Sequence, residues 1–443
     1  MKKLLLSFLS VIFLTVSVQA KTVKSEFADI IRDSGINKDS IAISIRDSKS
    51  GKVVFTLNDK IMMNPASVQK VLTIPAAVQT LGEDYKFNTE LYTRGEDSYL
   101  LKLSGDPYLR YSDLKNLTKA VKIDTKNIYI DDSILDSKVW GEGWQWDDDM
   151  NKLMPRFGAY NLDKNLIKLN IIPSENGKFA QIVNPSKYPL VFMNNVTTSN
   201  KTSLDVKRES MIAENVISLK GTVARQTTVY IPSNNIKRYF EIELTRALGE
   251  NKVYLKNPFA VKKYSSSDVL VNSIERDLSV AVKDILHSSN NMAAETVFKL
   301  AGGKYTGEAG SDKSAIKMFN DFCSKNNLDS SVIRITDGSG VSKNNLVTAD
   351  FVSEYLYRFK ELPAMEYLPK PGEGTLNQRM LPLKDNLRAK TGTLADISSL
   401  AGYLKTKKGN EYTFCILQND VKLSSSDKKT LEDYIIREAY LKL

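Results

Sequence analysis

Histidine and cysteine are almost missing from this 443-residue chain, which holds one of the first, His287, and two of the second, Cys323 and Cys415. That scarcity excludes zinc sites built from several Cys and His ligands. It also leaves a Ser-His-Asp triad with a single candidate base. Beyond the extreme N-terminus no apolar run is long enough to span a bilayer. No stretch is biased enough for disorder, collagen or coiled coil. No Arg-rich stripe interleaved with aromatics marks a nucleic-acid surface. The rest is ordinary for a folded protein, 42% hydrophobic and 26% charged, and its length predicts two or three domains. Any catalysis falls to serine, lysine and carboxylates.

The first twenty residues, MKKLLLSFLSVIFLTVSVQA, read as a cleavable export signal. Lys2 and Lys3 form its basic start, Leu4 to Val18 its apolar centre, and Val18-Gln19-Ala20 a small-residue cleavage site. The apolar centre is short for a membrane span of ~20 residues. No cysteine lies near the cleavage site to carry a lipid, so the mature chain is expected from about Lys21. Removing the leader leaves 60 basic against 52 acidic residues, a formal +8. Such a balance suits an anionic partner, and export argues against nucleic acid. In an oxidising compartment Cys323 and Cys415 could pair; two buried thiols are the alternative.

Residues 21–86 begin as a mixed α/β unit. Ile41-Ala-Ile-Ser-Ile-Arg alternates like a strand, Lys52-Val-Val-Phe-Thr-Leu follows as its hairpin partner, and Ser67 stands at the start of a buried helix. Residues 87–262 change character to short strand-like runs separated by Gly-Asp-Pro, Pro-Ser and Asn-Gly turns, and read as a β-rich insertion of two subdomains. Helical patterns return at Leu278 and Asn291, paired strands at Leu400 and Glu411, and a last helix near Ser426–Tyr440. Residues 21–86 and 263–443 are therefore expected to form one discontinuous catalytic domain.

Three short segments carry chemistry. In Ser67-Val-Gln-Lys70 a serine at a helix start has a lysine three residues on, on the same face. The lysine can take the serine proton if burial or nearby cations lower its pKa. Alone, the match reads equally as a helix cap beside a surface lysine. Ser289-Asn290-Asn291 joins a hydroxyl that relays protons to an amide able to hold a backbone group and a lysine; its bland reading is another cap, and His287 beside it reads as structural. Lys390-Thr391-Gly392-Thr393 offers a cation, two hydroxyls and a glycine that permits close approach to a strand edge. Each is weak singly, and their order is informative.

With Pro65-Ala-Ser-Val-Gln-Lys, Asp337-Gly-Ser-Gly340, Gly372-Glu-Gly-Thr-Leu376, Ser104-Gly-Asp-Pro-Tyr-Leu109 and Gly143-Trp-Gln-Trp146, the chain resembles the D-Ala-D-Ala carboxypeptidases of class C penicillin-binding proteins, the penicillin-binding protein 4 type. The 222 positions from Ser67 to Ser289 are similar to that family's large insertion and too many for a small β-lactamase. Lys343 and Glu373 stand where arginine and aspartate are more usual, with charge kept.

The resemblance implies an α/β (α+β) penicillin-binding, β-lactamase-like transpeptidase domain, with an antiparallel sheet flanked by helices and interrupted by the insertion. It implies Ser67 as nucleophile, Lys70 as its base, Ser289 as proton relay and Asn291 as substrate holder. Lys390 would keep Lys70 neutral, and Thr391, Gly392 and Thr393 would line the carboxylate pocket. The substrate would be the peptidoglycan stem peptide, cut as carboxypeptidase or endopeptidase in the periplasm. No cofactor or metal is implied, β-lactam antibiotics would be covalent inhibitors, membrane contact at most peripheral, and a homodimer is left open. A β-lactamase or esterase on the same scaffold is the alternative, and a silent penicillin-binding or wall-sensing protein a third reading. The insertion counts against the first and the intact motifs against the second. Asp147-Asp148-Asp149 reads as a solvated turn, or as a contact for the ammonium of the stem's diamino acid. Glu373-Gly-Thr-Leu-Asn377 spells a deacylation motif of class A β-lactamases, but it lies 82 positions after Asn291 and 17 before Lys390, so Glu373 is expected to serve a turn.

Overall fold

The computed structural model describes residues 23–443, so the export signal expected over residues 1–20 lies outside the described residues. Helix α1 (Val23–Asp33) leads into the hairpin β1 (Ile41–Asp47) and β2 (Val53–Leu57). A 3-10 turn over Ala66–Gln69 runs into α2 (Lys70–Leu81), which is buried on nearly every side. Its run Val71-Leu-Thr-Ile-Pro-Ala-Ala-Val explains this, because a helix with no polar face is stable inside a core.

The chain then builds a second region. Strands β3 (Lys86–Thr93) and β4 (Ser98–Lys102), helix α3 (Tyr111–Thr118) and β5 (Asn127–Asp131) come first. Then follow β6 (Leu166–Ile172), β7 (Gln181–Val183), β8 (Val191–Thr198), β9 (Ser203–Arg208), β10 (Val216–Val223) and β11 (Thr227–Pro232). Helix α4 (Ile236–Glu250) and strands β12 (Ala260–Val261) and β13 (Val269–Asp277) complete it. The return path is helical, with α5 (Leu278–Ser288), α6 (Asn291–Thr306), α7 (Asp312–Lys325) and α8 (Ala349–Arg358). Strands β14 (Leu387–Leu394), β15 (Ile397–Lys405) and β16 (Glu411–Asn419) and helix α9 (Ser425–Lys442) end the chain.

The first sheet has the order β14-β15-β16-β1-β2, with antiparallel neighbours throughout. Alternation splits its side chains between two cores. Ile41, Ile43, Ile45, Phe414 and Ile416 pack with Phe27 and Ile31 of α1 and Leu431 and Ile435 of α9. Ala42, Cys415 and Leu417 join the larger core that holds α2, α5, α6, α7 and α8. The expected antiparallel sheet flanked by helices is present. The second region holds a mixed sheet β12-β5-β4-β3-β13 and two three-stranded sheets, β8-β10-β9 and β11-β6-β7. Strand β13 pairs with β3 from Asp277 opposite Lys86 to Val269 opposite Thr93, so this part of the sheet lies beyond the boundary expected at 262–263. Cys323 on α7 and Cys415 on β16 are both buried and free.

Helix α6 is held close to α7 at Gly302, where a β-carbon would lie 2.6 Å from Ala315 Cα. A Gly302→Leu variant should therefore separate the two helices. Overpacking of this kind costs about 1–3 kcal/mol, read as a lower melting temperature in thermal denaturation, with Gly302→Ala falling less.

Candidate active site

Ser67 follows a backbone kink. Buried Ala66 has φ 45°, in the left-handed region that non-glycine residues rarely enter. Such a residue costs roughly 1–3 kcal/mol and persists only when its surroundings over-determine it. Here Asn64 Oδ1 accepts from Ala66 N at 2.9 Å, and Asn64 is itself tied by its Nδ2 to Ser342 O at 3.0 Å. Two glycines let other segments press on the turn. A β-carbon on Gly340 would meet the Ala66 carbonyl, and one on Gly392 would lie 2.7 Å from Pro65 O and 3.0 Å from Ser67 N. At Gly392 the Ser67 turn makes a close approach of its own.

Lys70, the first residue of α2, has its side chain completely buried. Its Nζ lies 2.8 Å from Ser67 Oγ, 2.7 Å from Asn291 Oδ1 and 2.6 Å from Ser339 O. Burial pushes the ammonium down to about 7, against the opposing pull of Asp337 and Glu295. In the neutral amine two N–H bonds are taken by the Asn291 and Ser339 oxygens. The lone pair is then left for the Ser67 hydroxyl proton. Lys390 is also fully buried and is held well below its ordinary range, first by burial and then by Lys70. Two cations cannot share this dry space cheaply. Of the two causes expected, burial or nearby cations, burial is what lowers Lys70.

The loop presenting the Ser339 carbonyl is fixed from beneath. Glu295, one helical turn after Asn291 on α6, accepts from Gly338 N at 3.0 Å and Ser339 N at 2.8 Å. Burial and the nearby Asp337 push its carboxyl up to about 8. Asp337 accepts from Gly340 N (2.7 Å), Ser342 N (2.7 Å), Asn345 Nδ2 (2.8 Å) and the Trp144 indole N–H (2.9 Å). Gln69 donates to the Asp337 carbonyl, and Thr73 Oγ1 to Gly338 O at 2.7 Å. Trp144 comes from the second region, packed between Trp140 and Phe157.

Ser67, Lys70 and Asn291 are thus joined directly. Asn291 does hold a lysine and a backbone group, since its Nδ2 donates to Leu153 O at 2.9 Å. Ser289 is the left-handed C-cap of α5 at φ 65°, and its hydroxyl has no hydrogen-bond partner among the described residues. Asn290 caps α6 through Ala293 N at 3.1 Å. Lys390 Nζ donates to Thr391 O at 2.9 Å. Strand alternation sets Lys390 and Gly392 on one face of β14, with Thr391 and Thr393 at the intervening positions; Thr393 is exposed. Of the acidic run, Asp147 is exposed, while Asp149 pairs with Arg208 at 2.9 Å. Glu373 lies 3.9 Å from His287 Nε2 and accepts from Lys370 N at 3.5 Å. Sequence reading missed Glu295, Ser339 and Trp144 as supports. The Asp337-Gly-Ser-Gly340 and Trp-rich segments were visible, but not what they hold.

Protonating Lys70 removes the lone pair that faces Ser67, so the rate of covalent modification at Ser67 should fall as pH drops through about 7. The check is the second-order rate constant for labelling by a fluorescent penicillin across pH 5–9. A flat profile would contradict the buried-amine geometry.

With the geometry in view, comparison with known proteins gives a consistent answer. Residues 23–439 match the model of the D-Ala-D-Ala carboxypeptidase 3 (S13) family. The chain is 24% identical over 419 residues to the D-alanyl-D-alanine carboxypeptidase DacB of Haemophilus influenzae, covering 88% of each. It is 26% identical over 434 residues to the D-alanyl-D-alanine carboxypeptidase of an Actinomadura species, covering 88% of this chain and 79% of that one. The fold matches the crystal structure of Haemophilus influenzae penicillin binding protein 4 with a TM-score of 0.82 at 23% identity, over 94% of this chain and 99% of the other. A second structure of that protein, complexed with a β-lactam, matches with a TM-score of 0.75 at 22% identity, over the same 94% and 99%. A family match running from α1 into α9 takes in every residue of the lysine cluster, and the chain belongs to the D-Ala-D-Ala carboxypeptidase 3 (S13) family of serine peptidases.

Proposed function

We propose that this protein hydrolyses D-Ala-D-Ala peptides of the peptidoglycan stem through an acyl-enzyme on Ser67, as carboxypeptidase and as DD-endopeptidase. The observation that carries the reading is the buried Lys70 amine, 2.8 Å from Ser67 Oγ with both other donors matched. Ser67 Oγ attacks the carbonyl of the penultimate D-alanine while its proton passes to Lys70. The oxyanion is held by the backbone N–H groups of Ser67 and Thr393, each typically worth about 3 kcal/mol. Ser289 passes the proton on to the departing amine as the peptide bond breaks. Water then cleaves the Ser67 ester and releases the shortened peptide. Lys390, Thr391, Gly392 and Thr393 form the pocket for the terminal carboxylate, and Asn291 holds the peptide. A D-Ala–diaminopimelate crosslink ends in the same kind of free carboxylate, which is why both activities are proposed. The export signal and the basic charge support action on an anionic wall polymer in the periplasm. Among the described residues no helix is long and apolar enough to cross a membrane.

β-Lactams mimic the substrate's end and should acylate Ser67; the penicillin binding protein 4 of Haemophilus influenzae has been crystallised with one. Labelled penicillin should bind wild type covalently and Ser67→Ala not at all, with equal melting temperatures and with D-alanine release lost in the mutant. Stoichiometric labelling of Ser67→Ala would sink the nucleophile assignment. Among the described residues Glu373 engages Lys370 N and His287, and no hydrogen bond ties it to Ser67 or Lys70. The penicilloyl adduct should therefore be long-lived, with the same lifetime in Glu373→Gln. Rapid turnover in wild type that disappears in the mutant would favour a β-lactamase.

A further inference from the structure

A cavity of about 370 Å³ lies in the second region, walled by Tyr108, Arg110, Lys164, Lys168 and Tyr230. The three cations are exposed, and among the described residues none of them forms an ion pair. Several other cations of this region are paired. Arg94 pairs with Asp268, Lys102 with Glu90, Lys115 with Glu250 and Arg276 with both Asp106 and Asp113. The acid lining the cavity, Asp163, accepts from Tyr111 N at 3.3 Å, and burial pushes its carboxyl up. The cavity thus gathers these three unpaired cations against one lining acid.

The backbone that displays Lys164 is unusual. Asp163, Lys164 and Asn165 are all left-handed, with φ of 48°, 58° and 56°. Buried Asn165 holds that turn by donating to Arg156 O at 2.7 Å and Asn161 Oδ1 at 2.9 Å and accepting from Leu162 N at 2.9 Å. Strain of this kind persists when the surroundings enforce it, and it turns Lys164 toward the cavity rather than along the strand that follows. Tyr230 stands directly opposite Lys168 in the β11–β6 register. On the other wall the Tyr108 hydroxyl donates to Asp284 Oδ2 at 2.5 Å, the same oxygen that accepts from Asn290 Nδ2 at 2.8 Å. Asn290 sits between Ser289 and Asn291, so this wall of the cavity is linked to the Lys70 cluster through Asp284 and Asn290.

We propose that this cavity is a subsite for a carboxylate carried by the substrate peptide upstream of the scissile bond, a proposal that rests on the peptidase reading above. An extended peptide advances about 3.4 Å per residue, so an acid two or three residues back can occupy a site beside the one that holds the reacting carbonyl. Arg110 offers the planar fork that suits a carboxylate, Lys164 and Lys168 add point charge, and the tyrosines supply a rigid wall with polar tips. The subsite would make an acidic stem a better substrate than its neutral counterpart, most strongly at low salt.

The test uses the full chain and two D-Ala-D-Ala-terminated pentapeptides, identical except for a free or an amidated carboxyl two residues before the penultimate D-alanine. The readout is the ratio of their kcat/KM values, which damage to the fold would lower in both terms and leave unchanged. Wild type should prefer the free acid, less so at 0.5 M salt, and Lys164→Glu/Lys168→Glu should lower the ratio about tenfold. An unchanged ratio in the double variant, or a wild-type enzyme indifferent to amidation, overturns the subsite while leaving the peptidase reading intact. Cleavage of neither peptide by wild type overturns that reading and the subsite with it.

Discussion

The exclusion of water from one amine organises this protein. A lysine side chain is taken into a dry interior only if its charge is lost or matched. At Lys70 burial removes much of the tendency to hold a proton, and two oxygens satisfy the remaining N–H bonds. Those two oxygens come from parts of the chain 221 and 269 residues away. The helix that carries Asn291, the loop that carries Ser339 and the helix that begins at Lys70 must therefore meet at one point within a few tenths of an ångström. The glycine contact between α6 and α7 and the largely buried α2 are the packing that allows it.

Beneath the amine, two buried carboxyl groups oppose that desolvation. Glu295 and Asp337 both favour a charged Lys70, and each is engaged by backbone N–H groups of the same short loop. The loop is thereby stapled twice, and its carbonyl at Ser339 has little freedom to turn away. Asp337 adds the link to Trp144, so the order of this loop depends on a side chain that arrives from outside the first sheet.

Much of this was legible from local pattern. The three-residue spacing of Ser67 and Lys70, the β1–β2 hairpin and the short-strand character of the middle of the chain all follow from periodicity and turn chemistry, which are properties of neighbours in sequence. What escaped was non-local. The Ser339 carbonyl has no side-chain signature, since any residue type would present the same atom. The packing of the Ser67 turn against Gly392 was equally hidden, because a single strand gives no hint of what will lie against it. The pairing of β13 with β3 joins positions about 180 residues apart, and the alternation of 269–277 alone does not say which edge it will meet. Burial was one of the two causes open for Lys70's lowered basicity, but a motif cannot say how complete that burial is.

Asn291 and Trp144 also set how this architecture tolerates recombination. Asn291 spends one end of its amide on Lys70 and the other on Leu153, and Trp144 spends its indole N–H on Asp337. A chimera that took its middle segment from a distant homologue would need an indole donor and a main-chain acceptor at those two places. Without them, Asp337 would keep Ser342 N but lose one of its buried donors, and Asn291 would lose the main-chain contact that orients it beside the amine. The outer strands of that segment carry no such obligation, so it is modular at its periphery and committed at two points.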